Sequence, residues 1–269
     1  MFKDFFQVIT SYRSLLFNLA VKELKIKYKS TVLGFLWSIL VPVIMAIIFK
    51  IIFSYFFAKF SVEGISYTAY LLTGLFPWIY FSGTLATSTN AFVDQANVLK
   101  KVKLPIQILP ISISLSNFYL LMIDFIVLLV IYLILGVQIR WTILMVPIVY
   151  FIFFIQTTGI SLLFSSLNVR FRDIKYIVEV ALLALFYITP IIYPVKLVYG
   201  AMHSKMPMLF YLLKLNPLFG IITYLQDLVF YGRIIPSYAE IYSFVFSIGI
   251  FIFAQIIHNS MKKKIMDLI

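Results

Sequence analysis

Asp124 is the one carboxylate deep inside a long apolar stretch of this chain, and so the residue best placed for proton or ion chemistry. Charge is costly in hydrocarbon, so an intramembrane acid marks either a coupling-ion or proton site or a polar tie between helices. Asn117, Gln156 or a Ser or Thr would supply such a tie. Signals for an enzyme are weak. His203 and His258 are the only histidines, and neither stands near a carboxylate at metal-ligand spacing. No Gly-rich phosphate loop and no paired-carboxylate motif occurs, so the chain has no visible means of hydrolysing ATP itself. Aromatic residues make up 18% of the sequence. Phe76, Trp78, Tyr80 and Phe81 cluster in one apolar run, and Phe186, Tyr187 and Tyr193 lie toward the end of another. Such groups form either an interfacial belt or a path of flat faces against which sugar rings can stack.

The elements that must position these residues are set by composition. Of 269 residues, 63% are hydrophobic and 12% charged, against about half and about a quarter in a soluble domain. No soluble fold of this size could hide so much Phe, Ile and Leu. The apolar runs are long and continuous, as spanning helices require, rather than short and alternating as in a barrel. The fold class is therefore all-α and polytopic, with lipid as the solvent for much of the surface. The net charge is +12. In a membrane protein this reads as Lys and Arg collected in cytoplasmic loops and drawn to anionic headgroups, not as nucleic-acid binding. The absence of cysteine excludes disulfides and thiolate metal sites. The N-terminus shows no cleavable signal peptide.

A crossing needs about 20 apolar residues, and residues 1–30 do not supply one. Phe2, Phe5, Ile9, Tyr12, Leu16 and Leu19 step by three or four, the spacing of one helix face. The expectation is an amphipathic helix in the membrane interface, or one packed on a partner, followed by the basic stretch from Lys22 to Lys29. Spans are expected at about 33–57, 68–90, 110–136, 141–166, 176–194 and 238–258. The first holds Pro42 and Lys50, and Lys50 lies near enough to its far end to snorkel. Polar basic loops are expected from Asp94 to Lys103 and from Asn168 to Lys175, with Glu179 paired to Arg172 or Lys175. Residues 206–231 hold two apolar runs, each short for a crossing and separated by Asn216-Pro217, which reads as a re-entrant pair. With six crossings and the N-terminus inside, inner segments carry 15 Lys and Arg and outer segments six, as the positive-inside rule asks. A seventh crossing at 218–231 would put Lys262, Lys263 and Lys264 outside. A basic tail is expected over 259–269.

The motifs resemble those of a known family. Lys22-Glu23-Leu24-Lys25-Ile26-Lys27-Tyr28-Lys29-Ser30, Leu33-Gly34-Phe35-Leu36-Trp37 and Pro42 are similar to the opening of type-2 ABC exporter permeases. The branch exporting O-antigen, teichoic acid and capsule fits best. Tyr70 to Trp78, Asn97-Val98-Leu99, Pro105, Phe171-Arg172-Asp173-Ile174, Thr189 to Tyr193 and Asn216-Pro217-Leu218 follow in order. Lys22 and Lys27 stand where the family is expected to carry Arg, and Leu104 where an aromatic often precedes the Pro.

The resemblance implies a homodimer of six-span subunits in a bacterial cytoplasmic membrane, with both termini cytoplasmic, working with two separate ATPase subunits. ATP and Mg would belong to that partner and no cofactor to this chain. Lys22, Glu23, Asp94, Lys100, Lys101 and Lys103 are the implied ATPase contacts. Lys25, Lys27 and Lys29 are candidates for the diphosphate of a lipid-linked polysaccharide, or else a headgroup-facing cluster. Phe76, Trp78, Tyr80, Phe186, Tyr187 and Tyr193 are candidates for a channel and gate, and Asn216 and Pro217 for the turn between two outer gate helices. The alternatives are a permease for a drug or lipid, and a secondary transporter using Asp124.

Overall fold

The computed structural model describes residues 3–28, 34, 36–56, 65–101, 104–195, 208 and 213–268. Among them every extended element is helical. Lys29 and Lys103 lie outside the described residues, as does most of 196–212.

The N-terminal region is two helices rather than one, α1 (Lys3–Thr10) and α2 (Arg13–Tyr28). They are joined at Ser11 and Tyr12, whose backbone N–H groups both donate to Gln7 O. The turn resets the helical phase. Val8, Leu16 and Ala20 are buried, whereas Ile9 points outward, so the inward stripe is displaced from the expected one. This stripe packs on Ile106, Ile108, Leu109 and Ile113, at and just before the start of α7 (Ile108–Ile134).

Among the described residues, three helices are long and apolar enough to cross a membrane, at Ile108–Ile134, Trp141–Arg170 and Tyr238–Met266. The first is α7 (Ile108–Ile134). The second opens with a 3-10 turn (Trp141–Met145) and continues as α8 (Val146–Arg170), past the expected end at 166. The third belongs to the last helix, Tyr238–Leu268, which runs on through the expected tail and carries Lys262, Lys263 and Lys264 as helical residues. Their outward faces are apolar, with Ile126, Val130, Leu144, Ile148, Val245 and Ile248 exposed. That pattern suits lipid as the surrounding solvent.

The other expected crossings also fall on helices: α3 (Leu36–Phe56), α4 (Tyr67–Thr89) and α9 (Ile174–Ile188). The end of α9 differs from the expected boundary at 194. Pro190 cannot continue a helix and biases Thr189 to extended geometry, observed at φ −81° and ψ 138°. Residues 189–192 remain buried without being helical. The loop expected after α4 is instead two short helices, α5 (Ala91–Asp94) and α6 (Ala96–Lys101).

Of the expected re-entrant pair, the second half is described. It is α10 (Pro217–Gln226), extended by a π turn (Asp227–Tyr231) and ended by Gly232 at φ 64°. Left-handed geometry at a helix end favours Gly. Ten residues rise about 15 Å, half of a bilayer core. The chain then enters α11 (Tyr238–Leu268). Two glycines let α11 close on its neighbours. A Cβ at Gly159 would stand 2.7 Å from Phe251 Cα, and one at Gly220 would stand 2.4 Å from Ala239 O. Small residues permit such backbone approach between membrane helices.

Candidate functional site

The proposed ATPase-contact residues gather at one end of the bundle. Lys22 on α2, Asp94 on α5, and Lys100 and Lys101 on α6 are exposed. Glu23 joins the two groups, since its Oε1 accepts from Gln95 Nε2 at 3.5 Å. This bond connects the N-terminal helix to the hinge between α5 and α6. The hinge region is fixed to the bundle as well. Asn168 Nδ2 donates to Asn90 Oδ1 at 2.8 Å, and Asn168 Oδ1 accepts the Lys175 backbone N–H at 3.2 Å. Phe92 of α5 packs at 5.9 Å on the His258 ring, whose Nδ1 shares a hydrogen bond with Ser166 at 2.9 Å. His258 is thus a buried packing group. Buried side chains thus connect α5 to α8 and α11. The expected pairing of Glu179 is not formed: Glu179 is exposed, and the Lys175 ammonium lies 4.6 Å from the centroid of the Tyr176 ring.

Of the diphosphate candidates, Lys25 is exposed and Lys27 is already engaged. Lys27 is exposed as a residue, yet its ammonium turns onto α7 and donates to Asn117 Oδ1 at 3.3 Å. Burial of that ammonium draws Lys27 below the usual lysine range, and the charge of Asp124 pulls it partly back. Asn117 Nδ2 in turn donates to Thr84 Oγ1 at 3.1 Å. Asp124 is buried one heptad beyond Asn117 on α7, the same helix face. Its expected ties to Asn117 or Gln156 are not present. Asn117 is taken by Lys27 and Thr84, and Gln156 Oε1 accepts from Ser247 at 2.9 Å. The partner of Asp124 is electrostatic, the Lys27 ammonium.

The channel candidates divide by burial. Phe76 and Tyr80 are inside the helix core, where Tyr80 Oη shares a hydrogen bond with Ser114 at 3.2 Å. Trp78 and Phe186 meet across α4 and α9 with ring centroids 5.4 Å apart and planes tilted by 51°, and Phe49 of α3 stands 6.1 Å from Phe186. Phe186 also meets Tyr187 edge-on at 5.3 Å, and Tyr187 presents its ring to the outside of the chain. Tyr193 caps α9, its hydroxyl donating to Tyr187 O at 3.1 Å and Ile188 O at 2.8 Å.

Asn216 and Pro217 do start α10. Asn216 Oδ1 accepts the Leu218 N–H at 3.0 Å, as an N-cap should, and Pro217 occupies the first helical position, where a missing N–H costs nothing. Asn216 Nδ2 donates to Thr189 Oγ1 at 2.9 Å. Sequence reasoning missed the residues that complete this junction. Gln226 Nε2 donates to Pro190 O at 3.1 Å, and Gln226 Oε1 accepts from Tyr70 Oη at 2.8 Å. Tyr67 Oη donates to Ile192 O at 2.8 Å. Arg233 bridges Asp227 and Glu240, joining the end of α10 to the start of α11.

Long apolar helices, glycine contacts between backbones and a short helix tied into the bundle by side-chain hydrogen bonds define a polytopic α-helical membrane protein. The particular family follows from the sequence: the chain belongs to the ABC-2 type transporter family, matched over residues 14–230. Its role is transport, as a permease. It is 28% identical over 226 residues to the O-antigen export system permease protein RfbA of Myxococcus xanthus, covering 84% of each chain. It is 30% identical over 236 residues to an RfbA of Klebsiella pneumoniae, covering 85% of this chain and 86% of that one. A second Klebsiella pneumoniae RfbA is 33% identical over 184 residues, covering 66% and 70%.

Proposed function

We propose that this chain is the membrane-spanning subunit of an ATP-driven exporter. Its cargo is a polyprenyl-diphosphate-linked polysaccharide of the O-antigen or teichoic acid type, carried across the bacterial cytoplasmic membrane. The observation that carries this reading is the family match over most of the chain, together with relatives whose names specify O-antigen export. Six crossings are made by α3, α4, α7, α8, α9 and α11, with both termini cytoplasmic. α10 and the segment before it dip in from the outer face and return. Two copies form the channel, and two ATPase subunits bind at the end where α2, α5 and α6 meet. Mg-ATP binds to the ATPase subunits.

The geometry supports this division of labour. The Glu23–Gln95 contact holds the two candidate docking elements together, and Asn168 and Phe92 connect them to long helices. Rigid-body movement at the docking end would therefore reach the junction of α9 with α10, where Asn216 meets Thr189. Lys25 and Lys29 remain the candidates for the diphosphate, with Lys27 assigned instead to holding α2 on α7.

Mild-detergent purification of the tagged chain tests the reading. The expected result is a stoichiometric ATPase subunit and nucleotide-dependent activity. Gene deletion is expected to leave glycan inside the cell and deplete it from the surface. A lone chain without nucleotide-dependent activity, or unchanged surface glycan with no internal accumulation, would overturn it.

A further inference from the structure

A cavity of about 740 Å³ opens where α10 ends and α11 begins, within the roughly 300–1,000 Å³ range of small-molecule sites. Neither the docking end nor the paired aromatics of α4 and α9 account for it. Tyr70 and Gln226 line it, and both are held in place, Gln226 between Tyr70 Oη and Pro190 O. The Asp227–Arg233–Glu240 bridge lines another side. Among the described lining residues, Lys214 and Arg233 balance Asp227 and Glu240. Three tyrosines at the cavity are open: Tyr231 is 40% exposed, Tyr238 93% and Tyr242 37%.

These groups suit one ligand chemistry. A sugar ring has an apolar C–H face and a rim of hydroxyls. Exposed tyrosine rings accept the face, and planar carboxylates, guanidinium and carboxamide fixed by mutual hydrogen bonds accept or donate to the rim. We propose that this cavity is a glycan-binding site that holds sugar units of the exported chain after they have crossed. The inference rests on the polysaccharide-export reading, in which the α10–α11 turn faces outward. A hold at this point would resist backward sliding of the glycan between strokes of the ATPase.

The chain has no cysteine, so single-cysteine variants report cleanly. Tyr238→Cys and Tyr242→Cys are labelled in cells with a maleimide benzophenone and illuminated during export. Ile248→Cys serves as the control, since it is exposed on α11 but about 15 Å further along the helix from Tyr238. The expected result is a glycan-positive, high-mass adduct at 238 and 242, absent at 248 and absent when glycan synthesis is blocked. Adding Tyr238→Ala to Tyr242→Cys should lower the adduct roughly two- to tenfold, the worth of one aromatic contact, with folding unaffected because Tyr238 is almost fully exposed. Normal surface glycan with no adduct, an equal adduct at 248, or adducts to phospholipid alone would overturn the site. Those outcomes leave export itself intact, so they are distinct from failure of the export reading, which shows as lost dependence of surface glycan on this chain.

Discussion

Gly159 of α8 lies against Phe251 of α11 so closely that a Cβ would stand 2.7 Å from Phe251 Cα and 2.9 Å from its N. Both atoms are backbone, so the clash cannot be relieved by a rotamer change. Gly159→Ala is expected to force the helices apart and destabilise the protein by about 1–3 kcal/mol, the usual range for overpacking. Gly249 in the same helix pair provides the control, because a Cβ there meets nothing within 4 Å. Gly249→Ala should be neutral or stabilise by up to about 1 kcal/mol through helix propensity. Thermal unfolding of both variants in mild detergent checks the pair, and equal melting temperatures would refute the close contact.

Asn216 performs two tasks that substitutions can separate. Its Oδ1 caps α10 and its Nδ2 holds Thr189. Asn216→Asp keeps the cap but loses the donor, and should cost about 1 kcal/mol. Asn216→Ala loses both and should cost about 2–3 kcal/mol. Thr189→Val should match Asn216→Asp in size and add little to it, because the two share one bond. Additive losses would show that the hydrogen bond is not made.

This bond also shows what the sequence could and could not reveal. Thr189 to Tyr193 and Asn216-Pro217 stood out as separate motifs, and the fold joins them. Long apolar runs marked the helices because lipid demands length and apolar content, and both are local properties. The break at Ser11 and Tyr12 was not visible, since the apolar spacing of three and four runs on through it in the sequence. The early end of α9 was hidden for a similar reason: Ile191 and Ile192 extend the apolar run while Pro190 ends the helix. Gly159, Gly220 and Gln226 could not be singled out at all, and Tyr70 stood out only as the first residue of a motif. Their importance comes from partners distant in the chain, and no local pattern records a close approach between two helices.

Lys27 and Asp124 yield a prediction that separates two transport mechanisms. The ammonium of Lys27 bonds Asn117 and faces the Asp124 charge, which is a tie between α2 and α7. Lys27→Met keeps the apolar stem and should destabilise by about 1 kcal/mol, at the modest end for a charged hydrogen bond because the residue is exposed. Asp124→Asn combined with Lys27→Met should cost less than the sum of the two. Export driven by ATP should persist in Asp124→Asn to within about tenfold, since a tie worth about 1.4 kcal/mol changes a rate by no more than that. Complete loss of transport in a folded Asp124→Asn protein, with a proton gradient as the driving force, would instead make Asp124 a coupling site.

Glu23 and Gln95 test how force enters the bundle. They bring α2 to the hinge between α5 and α6, and neither belongs to a buried network, so removing the contact should leave folding nearly unchanged. A long, part-buried hydrogen bond of this kind contributes about 1 kcal/mol or less to stability. Its effect should appear in coupling. Glu23→Ala and Gln95→Ala should each let the ATPase bind and hydrolyse ATP while lowering glycan exported per ATP. The double variant should be no worse than either single one. A cysteine at each position, in a chain that otherwise has none, should react with a short bifunctional maleimide to join the two elements covalently. If that tether restores the yield of export per ATP in the double cysteine variant, holding α2 and α5–α6 together is the role of the contact. If the tethered protein is as poorly coupled as the alanine variants, the pair acts through direct contact with the ATPase instead.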